Sequence, residues 1–195
     1  MKKILLTIIL ITLSSNYLHA FEKKAENFIS ETSINAKNII LNNKINESEK
    51  KIKLQQLALN TVDVTGLAKY TLGEESKKLN EEKILEFVET FKIFFSKNIS
   101  NKLRDYSDQT VLVIGSKKIS ENYVLVNSKI VSSKNKQEIL VDWRVFLINE
   151  KLIIRDLVVE GLSLARTQKE EFASIIGNKG IDSLISSLKD YNSKN

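Results

Sequence analysis

The sequence predicts an α+β fold in which helices cover one face of an antiparallel sheet, and two observations carry that prediction. Over residues 21–106 apolar side chains recur at helical spacing, and over residues 110–160 they gather in short β-branched runs before helical spacing returns. Helices, then strands, then helices describe segregated layers rather than alternating βαβ units. Neither a proline, an internal repeat nor a low-complexity linker divides the chain, so 195 residues predict one domain with a core of ordinary size.

The first 20 residues stand apart. Lys2 and Lys3 form a basic opening, residues 4–13 an apolar run shorter than the ~20 residues that span a bilayer, and Leu18-His19-Ala20 a cleavage-like end. Residues 1–20 therefore read as a removable signal peptide, and residues 21–195 as the mature domain.

An opening helix rich in Asn and Lys carries Phe28, Ile29, Ile39, Ile40 and Leu41, and Ile52, Leu54, Leu57 and Leu59 mark a second. Asp63 is predicted to cap a short third helix bearing Val64, Leu67, Ala68 and Leu72, which Gly73 stops. Asn80 caps a long fourth helix in which Ile84, Phe87, Val88, Phe91, Phe94 and Phe95 fall on one broad stripe. Strands are predicted over 111–114, 123–131, 139–148 and 152–160. The polar breaks are Gly115-Ser116, Ser132-Ser133-Lys134-Asn135 and Asn149-Glu150, which makes a four-stranded meander. In the third strand Ile139, Val141, Trp143, Val145 and Leu147 share one wholly apolar face, opposite Asp142 and Arg144. Gly161 turns the chain into the final helices, and Ser163 is their N-cap, with Arg166 too basic to complete a capping box.

Composition excludes much chemistry. The chain has no Cys, and loss of residues 1–20 removes its one His (His19) and one Met (Met1). Thiol nucleophiles, His-based triads, zinc sites with nitrogen or sulfur ligands and haem ligation are then impossible, so no cofactor and no metal are expected. Taking Lys2 and Lys3 from the 30 basic residues leaves 28 against 24 acidic ones, a mild +4 with no Arg-rich run or interleaved aromatics, so nucleic acid is not an expected partner. Lys50, Lys51, Lys53, Lys77, Lys78, Lys117 and Lys118 read as solvated surface; as a steering device toward anionic headgroups each would contribute ~1 kcal/mol.

Two constellations invite a catalytic reading and fail it. Asp156 and Glu160 lie four apart on a strand as an acid–base pair would, but no nucleophile or oxyanion site accompanies them and Arg144 or Arg155 can pair them structurally. Ser163 sits in G-L-S-L, which is not G-x-S-x-G, and has no His to activate it. No catalytic residue is assigned and the chain is expected not to be an enzyme.

Asp63, Leu67-Ala68 and Leu72-Gly73 lead into the Phe-rich helix, which Asn101-Lys102-Leu103 and Tyr106 close. Val141-Asp142-Trp143-Arg144 follows, then Arg155-Asp156-Leu157-Val158-Val159-Glu160-Gly161-Leu162-Ser163-Leu164, then Phe172 and Asn178-Lys179-Gly180-Ile181-Asp182-Ser183-Leu184. Over residues 60–190 this pattern resembles the MlaC or toluene-tolerance family of periplasmic phospholipid-binding proteins. The resemblance implies a fold of the nuclear-transport-factor type enclosing an apolar lipid cavity between sheet and helices. It further implies a phospholipid ligand and a monomeric shuttle between an outer-membrane lipoprotein–porin complex and an inner-membrane ABC transporter complex, maintaining outer-membrane lipid asymmetry. The chain departs from the family pattern at Glu75 and Ser76, where aromatics are usual, at Leu152, where Trp is common, and at Gln168, where Tyr or Lys is common.

If a lipid is carried, physics demands a dry slot: about 30 methylenes at ~0.8 kcal/mol each would cost ~24 kcal/mol to expose. Such a slot is lined by aliphatic and aromatic side chains with few polar anchors. The expected lining is Phe87, Phe91, Val111, Val113, Val141, Trp143, Val145 and Leu164. The alternative is an envelope interaction module of the same fold whose core its own side chains fill.

Overall fold

The computed structural model of the chain describes residues 2–104, 106–134 and 137–194, with side chains from residue 20 onward. Of the predicted signal peptide only Ala20 falls among the described side chains, and Asn135 lies outside the described residues.

Four helices precede the sheet: α1 (Lys2–Ile40), α2 (Glu47–Thr61), α3 (Val64–Leu72) and, after a 3-10 turn over Gly73–Lys77, α4 (Glu81–Arg104). Three of them begin where a side chain accepts an otherwise unpaired N–H. Asn46 Oδ1 takes the Glu49 N–H at 2.9 Å while Glu49 accepts the Asn46 N–H, a reciprocal box that opens α2. The predicted caps hold for the next two: Asp63 Oδ1 accepts from Gly66 N at 2.9 Å, and Asn80 Oδ1 from Lys83 N at 2.8 Å. A Cβ on Gly66 would lie 2.3 Å from the Asp63 carboxylate, so only glycine leaves that cap room. Gly73, at φ +57, ends α3 in the left-handed region.

The strands β1 (Gln109–Ser120), β2 (Tyr123–Ser132), β3 (Glu138–Ile148) and β4 (Lys151–Val159) make the predicted antiparallel meander, and β5 (Leu162–Ser163) adds a short fifth strand. Asn149 and Glu150 join β3 to β4 with φ of +48 and +64, the double left-handed turn whose twist matches its strands. One predicted boundary is corrected: Gly115-Ser116 does not break β1. The register slips between Val113 and Gly115, a bulge that lets the strand continue, with Ser116 facing Val126 and Lys118 facing Val124. α1 receives the continued strand. Glu26 accepts from Ser116 Oγ at 2.8 Å, and Glu22 accepts the Lys118 N–H at 2.8 Å, a donor that an edge strand otherwise leaves open.

After β5 the chain enters α5 (Leu164–Lys179) and α6 (Ile181–Lys194), with Ser163 Oγ accepting the Arg166 N–H at 3.1 Å as predicted. α1 lies against β1 and β2, while α2, α3 and α5 touch β4.

This arrangement gives two cores rather than one. The helical core gathers Ala68, Leu72, Phe87, Val88, Phe91, Phe172, Leu184 and Leu188 from α3 to α6. Its aromatics interlock: Phe172 stands edge-on to Phe87 and Phe91 with ring centres 6.0 and 6.1 Å away. The sheet core joins Ala25 and Ile29 of α1 to Val124, Val126, Val145 and Ile154. Val62, between α2 and α3, packs against both cores. It bridges in parallel to Ile154, while the Asp63 N–H donates to the Ile154 carbonyl at 2.9 Å and Arg155 Nε to Asp63 Oδ2 at 2.8 Å. Those bonds fasten the α2–α3 junction to β4.

Candidate functional site

The inner face of the sheet follows from strand alternation. Val113, Ser128, Val141 and Val159 stand in one row across the four long strands, and Val111, Ile130 and Ile139 in the next row outward from the sheet core. Along β2 the inward residues Val124, Val126 and Ser128 are buried, whereas Ile130 and Ser132 are only partly so. On β3 the same gradient runs from Val145 and Val141, both buried, to Ile139, partly buried. The face is therefore sealed at the end where α1 packs and opens toward the end marked by Gln109 and Ser132. Val111, Ile130, Ile139, Val141 and Val159 belong to neither core, although they are apolar and share the helix-facing side.

Two polar groups within this face are mutually satisfied. Trp143 Nε1 donates to Ser128 Oγ at 2.8 Å, and Ser128 donates onward to the Val141 carbonyl at 2.9 Å. That chain fixes the indole and leaves its hydrocarbon surface for packing.

The eight expected lining residues divide into groups. Val113, Trp143 and Val145 sit in or against the sheet core, and Val111 and Val141 continue the face beyond it. Phe87 and Phe91 are fully buried in the helical core among aromatic partners. Leu164 is 48 % exposed at the start of α5 and joins neither core. Sequence reading did not single out Ile130, Val159 or Gln109. Alternation back from Val111 would have placed Gln109 on this face, whereas the other two need the strand register.

The carboxylates once weighed as an acid–base pair are separated by their partners. Asp156, 7 % exposed, accepts from Ser163 Oγ at 2.6 Å and from the Ala165 N–H at 3.0 Å, with Arg144 Nη1 3.4 Å away. It thus anchors the start of α5. Glu160, at φ +49 beside Gly161 at φ +81, instead accepts the Leu140 N–H at 2.5 Å. Of the two arginines offered as partners, Arg144 lies beside Asp156, whereas Arg155 pairs with Asp63 instead. Among the described residues no group of acidic or His side chains is placed to hold a metal.

At the open end the polar groups form a collar. Lys37 Nζ donates to Thr110 Oγ1 at 2.7 Å, and Ser132 Oγ to Asp108 Oδ2 at 2.7 Å. The Ser132 bond, reinforced by Lys134 and Lys37, holds the Asp108 carboxyl below its usual range. Elsewhere two clefts open on the surface. One of about 480 Å³ lies between α1 and α2, lined by Asn35, Asn38, Gln56 and Asn60 together with Ile39, Ile45 and Leu57; one of about 650 Å³ lies beside Glu22, Glu26 and Ser116. Neither is lined by any of the eight expected residues.

Comparison with known proteins follows this geometry. A family model described as MlaC protein matches residues 30–190. Among solved structures, a phospholipid-binding protein from Ralstonia solanacearum, determined in complex with a phospholipid, superposes with a TM-score of 0.73 over 87 % of this chain and 97 % of its own, at 19 % sequence identity. The search of curated proteins finds no match.

Proposed function

This chain belongs to the MlaC family, and from that premise we propose that it is a phospholipid carrier, holding acyl chains between the inner face of its sheet and the helices. The observation that carries this reading is the strip formed by Val111, Ile130, Ile139, Val141 and Val159. It is apolar, it faces the helices, it lies outside both cores, and its exposure rises toward one end. Evolution toward a solid interior would join such residues to a core; a carrier keeps them for fatty chains, whose exposure to water is prohibitive. The lining we assign is Val111 and Val141, bordered by Val113, Trp143 and Val145 where the sheet core begins, with Phe87 and Phe91 in the helical core. The similarity to a protein solved with a phospholipid supports the same ligand class.

Carriage is non-covalent: Trp143 and Ser128 on the inner face are bonded to one another, and Asp156 is committed to α5. The protein acts as a monomer in the periplasm, exported by residues 1–20, and shuttles lipid between an outer-membrane lipoprotein–porin complex and an inner-membrane ABC transporter. Among the described residues no helix is long and apolar enough to cross a membrane.

A second reading, an interaction module without lipid, has its own observation: Val141 and Val145 are already buried. Lipid extraction and native mass spectrometry of protein purified from a bacterial periplasm separate the two. The carrier retains stoichiometric phospholipid; a lipid-free preparation that also fails to load from vesicles ends the carrier reading.

A further inference from the structure

We propose that the outward face of the α1–α2 hairpin docks on an anionic lipid surface, a contact that goes beyond the carriage of a single lipid and needs no cavity. The two helices lie side by side, with Asn38 and Ile39 of α1 and Gln56 and Leu57 of α2 lining the cleft between them. Each also carries an aliphatic row on the side away from its buried residues. Ile34 and Leu41 are seven residues apart, hence on one stripe of α1, and that stripe lies opposite the buried Ala25. Ile52 and Leu59 repeat the spacing on α2, nearly opposite the buried Leu54. All four are between 42 and 57 % exposed. Because a short loop joins the helices and they run antiparallel, the two rows turn to the same side of the cleft.

The charge on this face matches that occupant. Residues 34–60 hold five lysines against two glutamates, and both glutamates are engaged: Glu47 pairs with Lys50 at 2.9 Å, and Glu49 closes the box on Asn46. Lys44 and Lys53 are exposed, and among the described residues neither ammonium meets a carboxylate. Lys53 stands at the cleft, where the carboxamides of Asn35, Asn38 and Gln56 offer N–H donors to phosphate and glycerol oxygens. Long lysines beside aliphatics suit an interfacial helix: the apolar row enters the headgroup boundary while the ammoniums reach the phosphates. A protein partner is the poorer fit. Protein interfaces are enriched in Trp, Tyr, Phe, Met and Arg and poor in Lys, whereas residues 34–60 contain five lysines and none of those anchors.

Flotation of the exported protein with lipid vesicles is the test. The unaltered protein is expected to float with vesicles of phosphatidylethanolamine and phosphatidylglycerol, less with phosphatidylcholine alone, and less again as added salt screens the lysines. A fourfold variant, Ile34→Gln, Leu41→Gln, Ile52→Gln and Leu59→Gln, keeps good helix formers on an exposed face. It is expected to lose flotation by roughly tenfold or more with an unchanged circular dichroism spectrum. Lys44→Gln together with Lys53→Gln is expected to remove the preference for the anionic vesicles. Absence of flotation by the unaltered protein overturns the docking face without need of any variant, and so does undiminished flotation of the fourfold variant. If the unaltered protein stays in solution and the fourfold variant instead loses crosslinks to an envelope protein, the face belongs to a protein partner and the proposal falls. Flotation reads the outer surface whether or not a lipid is held inside, so its failure leaves the carrier reading standing.

Discussion

The helical core and the inner face of the sheet are built from equally apolar residues, but they are finished differently. In the helical core the stripe of α4 meets α3, α5 and α6, and Phe87, Phe91, Phe94 and Phe172 close on one another. On the sheet, α1 brings Ala25 and Ile29 onto Val124, Val126 and Val145, whereas Val111, Ile130 and Ile139 in the outermost row stay only partly buried and join neither core. Hydrophobicity alone therefore does not distinguish a ligand surface from a packing surface. What distinguishes them is whether a second element of the same chain arrives to cover the face.

The comparison breaks most visibly if the solid half is hollowed. Phe91→Ala is expected to cost about 3–5 kcal/mol, because it leaves a cavity among fixed aromatic rings. Denaturant unfolding measures the loss, and lipid bound per folded molecule should not change; a fall in lipid with stability intact would place the slot in the helices instead. The joint between the halves comes next. Asp156→Ala frees the Ser163 hydroxyl and the Ala165 N–H at the start of α5, and a loss of about 2 kcal/mol is expected, moderated by the 41 % exposure of Arg144. Its sign is checked by thermal melting.

The open half should respond in the opposite way. Val111→Trp fills space beside the strip, so a stability change below about 1 kcal/mol is expected together with a severalfold fall in lipid that co-purifies. A variant that unfolds, or that carries lipid undiminished, would show that Val111 does not border the slot. The smallest effect belongs to the outer surface of the helical half. Lys189 and Lys83 hold the Glu86 carboxyl down to about 2 from its ordinary 4.5. A depressed carboxylate contributes stability that is present above about pH 4.5 and is lost as pH falls toward 2. Glu86→Gln should flatten that part of the acid limb, in low salt only, as read by urea midpoints across pH.

Much of this architecture was legible in the sequence because its signals are local. Asp63, Asn80 and Ser163 cap helices through bonds to N–H groups three residues on, and alternation in 139–147 declares a face without knowledge of its neighbours. The capping box of Asn46 and Glu49 was equally local and was passed over. What the sequence hides is set by distant partners. β1 continues through Gly115 and Ser116 because α1 supplies Glu22 and Glu26 to receive it. Asp156 bonds the start of α5 because the register slips between Arg144 and Val145. Likewise a helical stripe reports that Phe87 and Phe91 are covered, not whether side chains or a ligand cover them.

The order of the strands bears on how the chain reaches this state. Each strand pairs with the one before it, so the sheet assembles by closing short loops alone. α1 is the exception, since Glu26 must find Ser116 across 90 residues, and with it Ala25 and Ile29 find Val124 and Val126. Until that helix docks, the meander stands with a bare edge and an unsealed oily floor.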